Sequence, residues 1–218
     1  LHTALRRQRQ MCIRDSDGLV KTYYPNGAIE TEGNYTKGVR DGLWTFWYEG
    51  EVFEDFGEDG TPNTQDEGEN NGVWDSTETV VVDLNGNEAF DPPVKQMEGS
   101  YVLGNREALW TNWYLNGMRK EEADYSKGKL NGSIIRWHEN GNRSEEGTYE
   151  SGKQDVIWVW YYNTGIKKDQ TKFLDGQQDG LWIQWFSDGS KKSERKFANG
   201  ERDSCLLYTS DAADEVQC

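Results

Sequence analysis

The feature that most narrows what this chain can become is a period. Gly104, Gly128, Gly152, Gly176 and Gly200 fall 24 residues apart, and Gly117, Gly141, Gly165 and Gly189 keep the same interval. Columns of large side chains run between them: Trp110, Ile134, Trp158 and Trp182; Trp113, Trp137, Tyr161 and Trp185; Tyr125, Tyr149, Phe173 and Phe197. Upstream, Leu19 to Gly27 and Leu43 to Tyr48 fit the same frame. Six units result, beginning near Asp17, Asp41, Ala108, Gly132, Val156 and Gly180. Self-similarity at roughly 20–50 residues marks a repeat array, in which no unit buries its apolar face alone and neighbours stack into a continuous core.

Each unit has the composition of a β-hairpin. A run such as Leu109 to Tyr114 is rich in aromatic and β-forming residues. Asn-Gly or a relative follows, at Asn26-Gly27, Asn116-Gly117, Asn140-Gly141, Thr164-Gly165 and Asp188-Gly189. That dipeptide suits a type I′ turn, whose two central residues both need positive φ. A polar return strand with Lys, Arg and Glu then leads to one aromatic and a second turn, as in Asp175 to Gly180. No stretch combines helical periodicity with a cap. The expected fold is all-β: an elongated, single-layer antiparallel meander of about twelve short strands, with rings on both faces. Such ladders read as cross-strand packing, with one face left partly exposed for binding. Glu121, Glu145 and Glu146 beside Arg119, Arg143 and Lys167 read as cross-strand charge pairs. His138, in the column of Tyr114, Tyr162 and Phe186, reads as an aromatic substitute.

Asp41-Gly42-Leu43-Trp44, Trp113-Tyr114-Leu115-Asn116-Gly117 and Asp179-Gly180-Leu181-Trp182 carry a resemblance to the MORN repeat in its bacterial variant, recurring six times over most of residues 17–48 and 99–203. Ala108 and Val156 stand where Gly is usual, and the second unit lacks its Asn-Gly tip. The resemblance implies an elongated single-layer sheet. It also implies the association roles given to relatives: antitoxin components in bacteria, membrane-linked scaffolds in eukaryotes.

The second unit carries an insert. From turn glycine to return-strand aromatic an ordinary unit spans eight residues (Gly117 to Tyr125), but the equivalent positions Glu51 and Tyr101 are fifty apart. An insertion at a hairpin tip leaves the ladder undisturbed. Residues 51–100 hold fourteen acids and one base, Lys95. Glu67, Glu69, Asn71, Gly72, Asp75 and Glu78 follow the spacing of a calcium loop, with Glu in place of the first Asp. Asp55, Asp59, Gly60 and Asp66 repeat that frame, and Asp83, Asn85, Asn87 and Asp91 repeat it again without the glycine or the final acid. Calcium takes six to eight hard oxygens, which closely spaced carboxylates and amides supply. Ca²⁺ is therefore the expected cofactor of residues 51–98.

The flanks look foreign to this design. Runs from Arg6 to Ser16 and from Cys205 to Glu215 back-translate as reverse complements and look like a library-preparation adapter read at both ends. Residues 1–16 and 204–218 are thus expected to be non-native, leaving repeats at 17–50 and 99–203 around the insert. Cys12, Cys205 and Cys218 all fall in those flanks, so disulfides, thiol catalysis and cysteine zinc sites have no residues between them. The segment between the flanks has a net charge of −15, almost all of it in the insert. Nucleic acid would need a clustered basic surface instead. No apolar run suffices for a membrane span, and peripheral membrane contact stays open. No catalytic residues are expected: between the flanks, one histidine, no cysteine and no phosphate loop leave an enzyme as a minor alternative. Two readings remain: a calcium-stabilised extracytoplasmic scaffold binding a protein or cell-envelope partner, and a cytoplasmic antitoxin-like protein.

Overall fold

The computed structural model describes residues 17–50, 52–54, 79–82, 93–202 and 208–209, with backbone alone at 52–54, 79–82 and 208–209. In chain order the strands are β1 (Gly18–Tyr23), β2 (Ile29–Thr36), β3 (Val39–Trp47), β4 (Val52–Glu54), β5 (Thr79–Val82), β6 (Lys95–Val102), β7 (Asn105–Trp113), β8 (Arg119–Ser126) and β9 (Lys129–Trp137). They continue with β10 (Arg143–Glu150), β11 (Lys153–Tyr161), β12 (Lys167–Leu174), β13 (Gln177–Gln178), β14 (Gly180–Trp185), β15 (Lys191–Ala198), β16 (Glu201–Arg202) and β17 (Tyr208–Thr209). All but two join one sheet in the order β1-β2-β3-β6-β7-β8-β9-β10-β11-β12-β14-β15-β16, with β13 beside β12 and β17 beside β15. Every pairing is antiparallel. This is the expected all-β meander, and its six hairpins are the six sequence units. β3 pairs directly with β6, while β4 and β5 form a separate ribbon.

The Asn-Gly tips are not the type I′ turns that their sequence suits. At the Asn-Gly tips only the glycine has positive φ (Gly27, Gly117, Gly141, Gly165, Gly189), and its N–H donates to the residue three back, as Gly27 to the Tyr24 carbonyl at 2.9 Å. That is a type I turn followed by a left-handed glycine. The type I′ turns lie at the other end of each hairpin, where both central residues are left-handed, as in Lys37-Gly38 (φ 51° and 73°) and Ser151-Gly152 (φ 50° and 86°). A third left-handed position bulges the first strand of each unit. Gly42, Gly132 and Gly180 occupy it without strain, but Ala108 (φ 58°) and Val156 (φ 52°) hold it against the clash of their own Cβ.

One face of this single layer makes its own core. Trp44, Trp110, Ile134 and Trp158 are 0–1% exposed. Each indole lies flat on a glycine of the preceding strand: a Cβ added at Gly33, Gly99 or Gly147 would sit 2.2–2.3 Å from the Trp44, Trp110 or Trp158 ring. Its Nε1 donates to a backbone carbonyl, of Asn34, Ser100 or Thr148. Where the smaller Ile134 stands, the facing residue is Ala123. Tyr35, Tyr101, Tyr125, Tyr149 and Phe173 meet these indoles edge-on, with centroids 4.9–6.4 Å apart, a favoured aromatic geometry. Arg40 and Arg106 cover the indoles of Trp44 and Trp110, each with its guanidinium 4.4 Å from the ring centroid.

Candidate interaction surface

Side chains alternate between faces along a strand. Trp44 and Phe46 share the core face, with rings 6.0 Å apart, so Leu43, Thr45 and Trp47 take the other. That second face has three bands, each repeating once per unit. Trp47, Trp113, Trp137, Tyr161 and Trp185 form the band nearest the tips. Each faces a cation on the return strand: Lys95, Arg119, Arg143, Lys167 and Lys191. Lys95 Nζ lies 5.9 Å from the Trp113 centroid, and Lys167 Nζ 6.0 Å from that of Trp185. Rings alternating with cations leave no bare aromatic platform, so this band is packing.

The middle band is ionic. Lys95 bonds Glu98 at 2.6 Å, Arg119 bonds Glu122 at 3.1 Å, and Arg143 and Lys191 pair with Glu146 and Glu194. These pairs lie within one strand, not across strands as the sequence suggested, because a bulge after each tip brings residues i and i+3 together. The cross-strand charge cluster is on the core face: Arg136 holds Glu121 at 2.7 Å and Glu145 at 2.9 Å. Burial alone would lower the guanidinium pKa, but its hydrogen bonds to both carboxylates outweigh that and raise it. Tyr161 donates to Glu146, and burial together with this bond pushes its phenol up to about 12.

The third band is apolar and uncovered. Leu19, Leu43, Leu109, Ile157 and Leu181 occupy one column, interrupted by Ser133, and run from 60% exposed at Leu19 to 46% at Leu181. Their partners on the return strands are Asn34, Ser100, Asp124, Lys172 and Lys196.

The tips explain the columns of tyrosine and asparagine. Tyr24, Tyr48, Tyr114 and Tyr162 each donate their hydroxyl to a backbone carbonyl of the next unit, of Trp47, Trp113, Trp137 and Trp185 at 2.7–3.0 Å. His138 takes the same place, with Nε2 donating to the Tyr161 carbonyl at 3.2 Å, so it replaces the tyrosine as a donor as well as a ring. Asn26, Asn116 and Asn140 use both ends of the amide. Oδ1 accepts from the N–H two residues on, and Nδ2 donates to Gly50, Glu139 or Asn163 of the next unit. This inter-unit ladder was not read from the sequence, although the recurrence of a donor at each tip is its signature.

No cluster of His, Cys, Asp and Glu suited to a metal occurs among the described residues. The expected calcium ligands Asp55, Asp59, Asp66, Glu67, Glu69, Asn71, Asp75, Glu78, Asp83, Asn85, Asn87 and Asp91 lie outside them. The described ribbon pairs Glu54 with Thr79, the two residues that bracket the first two loop frames. A concavity at Glu150, Lys153, Asp155 and Asp175 holds about 90 Å³, well below the roughly 300–1,000 Å³ of ligand sites. A wider dish at Tyr114, Leu115, Asn116 and Glu139 stands open to solvent. No helix among the described residues is long and apolar enough to cross a membrane.

Residues 16–37 match the model of a family described as the MORN repeat variant. They span the first hairpin, β1 to β2, whose antiparallel pairing recurs in the other five, and the match supports a MORN-repeat protein. No curated protein matches the chain.

Proposed function

We propose that this MORN-repeat array is a non-enzymatic interaction module whose working surface is the face opposite the core. The observation that carries this reading is the exposed column Leu19, Leu43, Leu109, Ile157 and Leu181. The other two bands of that face are engaged with their own cations and carboxylates. The core face has closed over its indoles. A row of exposed aliphatic side chains repeating along one face, with polar residues around it, is a candidate contact surface. Substituting Leu43 and Leu109 by Asp tests it. Binding of a hydrophobic dye such as bis-ANS should fall severalfold while the circular dichroism spectrum is unchanged; undiminished dye binding would show the strip is not the contact surface.

We further propose that the acidic insert binds calcium and that the array works on the extracytoplasmic side, against a protein or envelope partner. The support is chemical: three successive loop frames supply acidic and amide oxygens at calcium-loop spacing, and weak sites of this type fill at extracellular calcium levels. Melting with calcium against EDTA is the measurement. An upward shift abolished by Glu78→Gln is expected, and identical melting curves would dismiss the calcium reading.

A further inference from the structure

We infer that the apolar strip is the seat of a second copy of this chain, stacked face to face and running antiparallel. The inference rests on the reading of that face as the contact surface and names its occupant.

Interval is the first argument. The strip residues lie two strands apart, and strands in a sheet are spaced about 4.7–4.9 Å, so its side chains repeat about every 9.5 Å over some 48 Å from β1 to β14. A partner must present aliphatic groups at the same interval over the same length, and another copy of the array does so by construction. Antiparallel stacking sets Leu19 opposite Leu181 and Leu43 opposite Ile157, and places the Leu109–Ser133 step at the two-fold axis. Sheets packed in this way sit about 10 Å apart with side chains interdigitated.

Charge decides the direction. In the first three units this face carries Lys21, Lys95 and Arg119 against Glu32, Glu98, Glu122 and Asp124, a net of −1. In the last three it carries Arg143, Lys167, Lys172, Lys191 and Lys196 against Glu146 and Glu194, a net of +3. The antiparallel arrangement lays the positive half of each copy over the weakly negative half of the other, with Lys172 and Lys196 over the Glu98 and Glu32 units. The parallel arrangement stacks the two positive halves on each other. A contact about 48 Å long and about 15 Å across, taking in the strip and the charged band beside it, buries on the order of 1,400 Å² over both copies, inside the range of stable specific interfaces.

The full chain, at micromolar concentration and moderate salt, is tested by light scattering after gel filtration. The expected mass is twice the 25.1 kDa of one chain. Asp at Leu43 and Leu109 should leave the monomer, with unchanged circular dichroism. Ser133→Leu, which fills the gap in the strip, should lower the dimer dissociation constant severalfold, a gain that misfolding cannot imitate. For direction, Leu43→Cys and Ile157→Cys proteins are mixed, both in a background with Cys12, Cys205 and Cys218 changed to Ser. A short bis-maleimide should join the mixed pair and neither protein to itself. Crosslinking of each protein to itself would overturn the antiparallel arrangement. A mass of one chain at every concentration, with Ser133→Leu unable to change it, overturns the proposal. If that monomer binds bis-ANS through the strip, the contact-surface reading stands with another occupant; if it does not, both fall.

Discussion

Gly147→Ala places a methyl carbon 2.3 Å from Cδ2 and 2.4 Å from Cε2 of the Trp158 indole. Carbon atoms in good contact stand about 3.5–4.0 Å apart, so the ring has to withdraw by more than an ångström. Trp158 is fully buried and tethered by Nε1 to the Thr148 carbonyl, so there is no space to withdraw into. Overpacking of this sort costs about 1–3 kcal/mol, and this site belongs at the upper end, about 3 kcal/mol. Trp158→Ile alone leaves a void and costs about 3 kcal/mol, the lower end of the range for complete truncation. Independent effects would add to about 6 kcal/mol. The chain itself contains the other solution: Ala123 packed on Ile134, both buried. The double variant G147A/W158I rebuilds that pair one unit later, and its loss should be about 3 kcal/mol, with a coupling of about 3 kcal/mol. Urea unfolding followed by circular dichroism at four genotypes measures the cycle. Additivity within about 0.5 kcal/mol would refute the claim that glycine is there to seat the indole.

Other consequences are simpler to measure. Thr171→Gly removes a buried hydroxyl without a hydrogen-bond partner and clears a seat for Trp182; the expected gain is about 1 kcal/mol after the entropy cost of glycine, with a blue-shifted tryptophan emission. Ala108→Gly relieves a left-handed alanine and should raise the unfolding free energy measured in urea by about 0.5–1 kcal/mol net. Tyr114→Phe deletes the hydroxyl that donates to the Trp137 carbonyl and should cost about 1 kcal/mol; Phe186→Tyr, in the same column, should cost nothing measurable. Folding raises the Tyr161 phenol from 10.0 to about 12, so the folded state holds that proton more tightly than the unfolded chain. The associated stability is whole below pH 10 and is lost as pH rises through about 12. The melting temperature should therefore fall more steeply over that window in the parent than in Tyr161→Phe.

The hairpins were legible because three signals agree in each unit: strand-forming runs, turn residues and a fixed period. Face assignment was legible too, since alternation alone separates Trp110 from Trp113. The turn types were not. Asn-Gly favours type I′ in isolation, but here the asparagine amide is committed to the neighbouring unit, as Asn116 is to Glu139, and a type I turn with a left-handed glycine presents it. Type I′ instead falls where a short connection joins strands at their far ends, even when its first residue is Leu103 or Lys127. The ion pairs escaped for a related reason: the bulge after each tip depends on three-dimensional register, which spacing does not disclose. Glycine at 33, 99 and 147 falls in no column that the sequence singled out; its purpose is visible only once an indole is seen lying on it.

These details bear on what the two faces are free to do. On the core face each residue answers another: Gly to Trp, Ala123 to Ile134, Arg40 and Arg106 to the rings beneath them. Thr171 shows what happens when the answer is missing. Trp182 is only partly buried and its Nε1 bonds the Asp169 carboxylate, not a backbone carbonyl. The carbonyl that would match, that of Lys172, accepts from Asp179, and the strand is broken into β13 and β14 there. The tips are equally constrained, because each must supply a donor to the unit that follows. In a linear array, stability is a sum of units and neighbour contacts, so a change on the core face or at a tip is felt by two units at once. The apolar column faces no such demand: Leu43 and Ile157 touch solvent for half their surface and are paired with small or polar residues. Packing within the sheet does not require them to be aliphatic. A column that stays aliphatic in five of six units without a packing reason is what the proposed contact surface accounts for.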